Sequence, residues 1–186
     1  EFVKGFIPDS IFIGIDGGFA PWVGAIIKAV KTPILLVCDK DRLQETAIRL
    51  SRVGFDNIQG HLQGGIDVWD VNDLHTIQSV SSEGLASIYN QNNTINIIDV
   101  RKATEYNSQH IKVAELAPLG SLDKYHSKLT TLNENFVHCA TGYRSVIACS
   151  LLKKQGINNV INIEGGFSAI KETAITLSDF ICPTTL

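Results

Sequence analysis

Methionine is absent from all 186 residues, position 1 included, which points to a piece of a longer protein. No signal peptide is visible, although a missing N-terminus would hide one. Cysteine is scarce: there are four, with no CxxC and no Cys/His cluster at zinc spacing. Neither a disulfide framework nor a metal site is therefore expected. Such thiols suit a reducing compartment, so a cytoplasmic location is the expectation. No apolar run approaches the roughly 18 residues that span a bilayer, so a membrane is not expected as a partner. A surplus of positive charge is lacking too. Sixteen basic against nineteen acidic residues give a formal net charge of −3, which argues against a sequence-independent grip on nucleic acid. What is present is ordinary globular composition, 44% hydrophobic and 19% charged, enough for one domain or two small ones.

The chain repeats itself. Pro33 to Val37 reads as a short buried strand, Asp41 to Val53 as a helix with Leu43, Ala47, Leu50 and Val53 on one face, and Gly54 as its stop. Asn57-Ile58 then opens a second strand that ends at Gly64-Gly65. The same order recurs downstream: strand Asn135 to His138, helix Tyr143 to Gln155, stop at Gly156, strand from Asn159-Val160, then Gly165-Gly166. The two stops lie about a hundred residues apart, so two units of that size are expected. Upstream of the second unit stand a strand at Thr94 to Val100, then Glu105-Tyr106 and His110-Ile111. The first unit begins at Phe2 to Pro8 and lacks the matching strand and helix. Short strands alternating with helices predict parallel α/β architecture in both units. The expected division is a truncated unit over 1–71, a polar linker over 72–83, a complete unit over 84–176 and a tail over 177–186.

One loop carries the chemistry: His138-Cys139-Ala140-Thr141-Gly142-Tyr143-Arg144-Ser145. A strand ends at the cysteine and a helix starts near Tyr143. The unpaired N–H groups of that helix start, with the partial positive charge of its dipole, make a cradle for an anion. A thiolate in the cradle is stabilised, which makes Cys139 the candidate nucleophile. Arg144 adds a fixed cation with a planar fork for a substrate oxyanion. An isolated cysteine is more often a buried structural thiol. Here strand, cysteine, glycine, arginine and helix coincide.

With Asp99-Val-Arg101, Glu105-Tyr106, His110-Ile111, the Cys139-to-Arg144 loop followed by Ser145, and Gly165-Gly166, the stretch from about 84 to 176 resembles the rhodanese family of sulfurtransferases. Residues 1–70 resemble a truncated second copy. The resemblance implies a five-stranded parallel sheet with helices on both faces. It implies a Cys139 persulfide formed from a small-molecule sulfur donor and passed to a thiol or to cyanide. The N–H groups of Ala140, Thr141, Gly142, Tyr143 and Arg144 would cradle that persulfide, Arg144 would help bind an anionic donor, and Ser145 would support the loop. No cofactor is implied. One departure stands out: Gln109 occupies the place where the family usually has glycine. Rhodanese-like phosphatases place five residues between cysteine and arginine, whereas four intervene here, a tighter loop that fits sulfur better than phosphate. A phosphatase and a non-catalytic docking module remain the alternatives.

The matching segment of the first unit, Cys38-Asp39-Lys40-Asp41-Arg42, has three residues between Cys and Arg and no glycine. Its two aspartates oppose a thiolate, so the copy reads as inactive. Cys149 is expected in the core and Cys182 at the surface. An inactive copy before an active one resembles the C-terminal part of fusion proteins in which a metallo-β-lactamase-fold persulfide dioxygenase precedes two rhodanese domains. That resemblance implies such a domain upstream, and it leaves a homo-oligomer open.

Overall fold

The computed structural model describes residues 1–92, 94–129 and 133–182. The chain divides into two compact units, one of Glu1–Pro8 with Ile13–Thr76, the other of Asp9–Phe12 with Ile77–Leu186.

The first unit contains helix α1 (Phe19–Ile26), strand β1 (Ile34–Leu36), helix α2 (Leu43–Ser51) and strand β2 (Ile58–His61). The two strands pair in parallel, as a strand–helix–strand crossover requires. Its core is Phe19, Val23, Leu50 and Phe55, with Ile34, Leu36, Val53 and Ile58 packed around it. The predicted inward face of α2 is borne out at Leu50, which is buried, and at Leu43, Ala47 and Val53, which are half-buried.

The second unit runs β3 (Gln78–Val80), α3 (Ser82–Gln91), β4 (Asn96–Asp99), α4 (Ala103–Ser108), β5 (Glu115–Leu116), α5 (His126–Leu129), β6 (Asn135–His138), α6 (Tyr143–Lys154), β7 (Val160–Ile163) and α7 (Gly166–Ile170). Its five strands form one parallel sheet in the order β3-β7-β6-β4-β5. All residues of β6 and β7 are buried, the signature of central strands covered on both faces. Leu85, Ile97, Phe136, Ile161, Ile163, Phe167 and Ile170 fill the core beneath them. The middle strand, β6, therefore delivers the residue that follows it, Cys139, to the carboxyl end of the sheet. In open parallel sheets that is where ligands bind.

Two expected boundaries need correction. The stretch 72–83 is not a linker throughout. Thr76 closes the first unit, Gln78–Val80 is an edge strand paired with β7, and Ser81 caps α3 by accepting the Gly84 N–H at 3.1 Å. The tail beyond 176 is tied down as well. Leu177 bridges Ile111, the Ser178 N–H donates to the His110 carbonyl at 2.9 Å, and the Ile181 N–H donates to the Ser108 carbonyl at 2.8 Å. No helix among the described residues is long and apolar enough to cross a membrane.

Candidate active site

Cys139 leaves β6 with 1% of its surface exposed. Its Sγ accepts the Gly142 N–H at 3.2 Å, and its thiol faces the Ser145 hydroxyl at 3.8 Å. The loop folds back because Gly142 takes φ 106°, the left-handed region where a side chain is strained. Tyr143 then starts α6, as predicted, and the positive end of the helix faces the sulfur. Ser145 is fully buried. Its Oγ lies 2.9 Å from the Gly142 carbonyl and 2.7 Å from Asn162 Oδ1. Asn162 in turn donates to Ser79 Oγ at 3.4 Å, so a polar thread runs from the edge strand to the sulfur. Of the remaining loop residues, Thr141 is exposed, while Ala140, Tyr143 and Arg144 are half-buried.

Arg144 is more occupied than its place in the loop suggested. Both Nη atoms donate to the Glu105 carboxylate at 2.7 Å, a bidentate pair. That pair holds Glu105 below the usual carboxylate range and pushes Arg144 up. The Lys102 N–H, donating at 3.0 Å, fixes the same carboxylate from the start of α4. Glu105 and Arg144 were both visible in the sequence as motif residues; their pairing was not.

Below the loop lies a buried ionic pair. Arg101 donates to both oxygens of Asp99 at 2.6 to 3.0 Å, reaches the Gln109 carbonyl at 2.8 Å, and stacks its guanidinium 3.9 Å over the Phe167 ring. Gln109 itself has φ −167°, extended backbone open to any residue, so the departure from glycine costs nothing there. His138 is wholly buried beside the pair. Its Nδ1 lies 3.3 Å from the Cys139 carbonyl and its Nε2 3.8 Å from Asp99 Oδ2, and Nε2 has no hydrogen-bond partner. Burial lowers its pKa, with Asp99 opposing.

The double glycine is part of the site. Gly166 has φ 57°, and a Cβ there would meet the Cys139 carbonyl oxygen at 2.6 Å and the Ala140 carbonyl at 2.8 Å. This close approach lets the N–H groups of Phe167 and Ser168 donate to the Cys139 and Ala140 carbonyls at 2.7 and 2.9 Å. The start of α7 thus clamps the backbone on which the sulfur is mounted. As expected, Cys149 is buried, with burial pushing its pKa up to about 12, and Cys182 is exposed.

The rhodanese-like domain model matches residues 81–173, which take in four of the five strands, the loop and the clamp. The chain belongs to that family. Over 91 residues it is 34% identical to a Bacillus subtilis (strain 168) protein described as "Putative sulfur carrier protein YrkF", covering 49% of each chain. The match thus spans about half the length of that relative. A protein named "Sulfurtransferase" from Allochromatium vinosum is 26% identical over 93 residues, which is 50% of this chain and 87% of the other. The solution structure of the rhodanese-like domain of the Alr3790 protein from Anabaena sp. superimposes with a TM-score of 0.52 at 27% identity, covering 55% of this chain and 80% of that one.

Proposed function

We propose that the second unit is a sulfurtransferase that carries sulfane sulfur on Cys139. The observation that carries this reading is Cys139 Sγ at the end of the central strand, receiving the Gly142 N–H inside a loop of four residues closed by the Arg144–Glu105 pair. The Cys139 thiolate attacks the outer sulfur of thiosulfate or of a persulfide or polysulfide donor. The donor's S–S bond breaks, and sulfite or a thiolate leaves with the electron pair. An acceptor thiolate or cyanide then attacks the outer sulfur of the Cys139 persulfide, and Cys139 departs as thiolate. No external oxidant or reductant is needed. The N–H groups of Ala140 to Arg144 hold the charged outer sulfur. Ser145 supports the loop. With both Nη atoms on Glu105, Arg144 serves first to anchor the loop and second to attract an anionic donor.

The first unit is read as a degenerate copy. The recurrence of Gly64 and Gly65 with φ 90° and 66° supports this, as does the Cys38 carbonyl oxygen lying 3.7 Å from where a Gly65 Cβ would stand, the counterpart of Gly166 facing Cys139. Burial raises the Cys38 pKa, with Asp39 and Asp41 adding to the rise, which opposes a thiolate. The order of an inactive copy before an active one also supports a metallo-β-lactamase-fold persulfide dioxygenase domain upstream in the parent protein.

Intact mass after thiosulfate or polysulfide treatment is expected to rise by one sulfur atom, located on Cys139 and removed by cyanide or a reductant. Cys139→Ser should take up none. A wild-type protein that acquires no sulfur from either donor, or that hydrolyses an aryl phosphate instead, would overturn the proposal.

A further inference from the structure

Residues 9–12 are separated in sequence from everything else in the second unit, yet they belong to it. The chain bends there at Asp9, whose φ of 65° makes it the one non-glycine residue with positive φ among the described residues. Such a conformation persists only where the surroundings hold it. Here the surroundings are α6. Lys154 Nζ donates to the Asp9 carbonyl at 3.0 Å, and the Phe12 N–H donates to Ser150 Oγ at 3.0 Å. The Phe12 ring meets the Tyr143 ring edge-on, with centroids 6.0 Å apart and planes at 63°. Tyr143, Ser150 and Lys154 lie seven and four positions apart on one helix face, so the segment runs along α6 from its end back to its start. It finishes on the last residue of the sulfur-holding loop before Arg144. It also accounts for a buried serine in mid-helix, since Ser150 is fully buried with its hydroxyl facing this strap.

We propose that Phe12 is a positioning residue of the active site. By fixing the Tyr143 ring, it sets one wall of the approach to the Cys139 sulfur and so favours an organic thiol as acceptor over a small inorganic one. The proposal rests on the sulfur-transfer reading above and adds the class of acceptor. An organic thiol needs a surface to hold its carbon skeleton while its sulfur aligns with the persulfide, whereas cyanide, two atoms long, needs none.

The test uses the full chain with Phe12→Leu, Tyr143→Leu and both together. For Phe12→Leu, transfer from the loaded protein to glutathione should slow about three- to tenfold, the range that an edge-to-face aromatic pair commands. Transfer to cyanide should change by about twofold or less, because the thiolate and its cradle are untouched. The double variant should be no slower with glutathione than Tyr143→Leu alone, and Phe12→Tyr should restore the rate. Equal losses with both acceptors, or additive losses in the double variant, would make the contact a purely structural one and overturn the proposal. Failure of the sulfur-transfer reading looks different: the wild type then transfers sulfur to neither acceptor. In that case alkylation of Cys139 by a bulky maleimide carries the test. It should be slower in Phe12→Leu than in wild type, because the reagent's carbon skeleton loses the same support as glutathione, and an unchanged rate overturns the wall.

Discussion

His138 is the residue whose environment most departs from what its neighbours in sequence suggest. It ends β6, and as a strand-ending residue it had no assigned role. The structure buries it completely between two acceptors, the Cys139 carbonyl and the Asp99 carboxylate, so only a protonated ring could serve both, and burial opposes that proton. The folded pKa thus lies below the ordinary 6.5, and the unfolded chain takes up the proton first. Stability from this residue is complete above pH 6.5 and falls as the pH drops from there towards the folded value, by at most about 1.4 kcal/mol per pH unit. Urea unfolding at pH 7.5 and 5.5 should therefore show a larger loss in wild type than in His138→Phe; equal losses would mean that His138 is not buried neutral. Cys139 at the strand end and its loop were legible in the sequence because their spacing is local. The partners were not: Glu105 meets Arg144 across 39 positions, and Asn162 meets Ser145 across 17, distances over which no local pattern speaks.

At the scale of elements, the helices expected at Tyr143–Gln155 and Asp41–Val53, each before a glycine stop, form as α6 over 143–154 and as a shorter α2 over 43–51. Strand β3 was missed for a physical reason. Gln78-Ser79-Val80 is a three-residue edge strand paired on one side only, so it needs no continuous apolar run and reads as polar linker. The double glycine was legible as a stop but not as a clamp, because the carbonyls it approaches come from another element. That clamp gives the element-scale prediction. Gly166→Ala would drive a methyl group into the Cys139 and Ala140 carbonyls, so the loop or α7 must shift. Sulfur loading should slow by tenfold or more, and stability should fall by about 1–3 kcal/mol. Gly156→Ala is the control. It has a similar positive φ of 83° with nothing within 4 Å, so it should show the backbone strain but load sulfur at the wild-type rate. If the two variants load equally fast, the glycine contact with the loop does not matter to the site.

At the scale of the whole molecule, the two units differ in how much they bury. Among the described residues the first unit's core cluster holds four buried apolar side chains on a two-stranded sheet, and Leu35 on that sheet stays 76% exposed. One cluster of the second unit alone holds eleven, under a five-stranded sheet. Since stabilisation scales with the apolar area removed from water, the first unit should unfold at lower denaturant. The sequence supplies a built-in way to see this, because both tryptophans, Trp22 and Trp69, fall within the first unit. Tryptophan fluorescence then reports that unit alone, while sulfur loading on Cys139 reports the other. In a urea titration the fluorescence midpoint should come before the loss of loading, and the amides of Ile34–Leu36 should exchange faster than those of Asn135–His138. Coincident midpoints would mean that the chain unfolds as one cooperative body, with the stability of the small core borrowed from the large one.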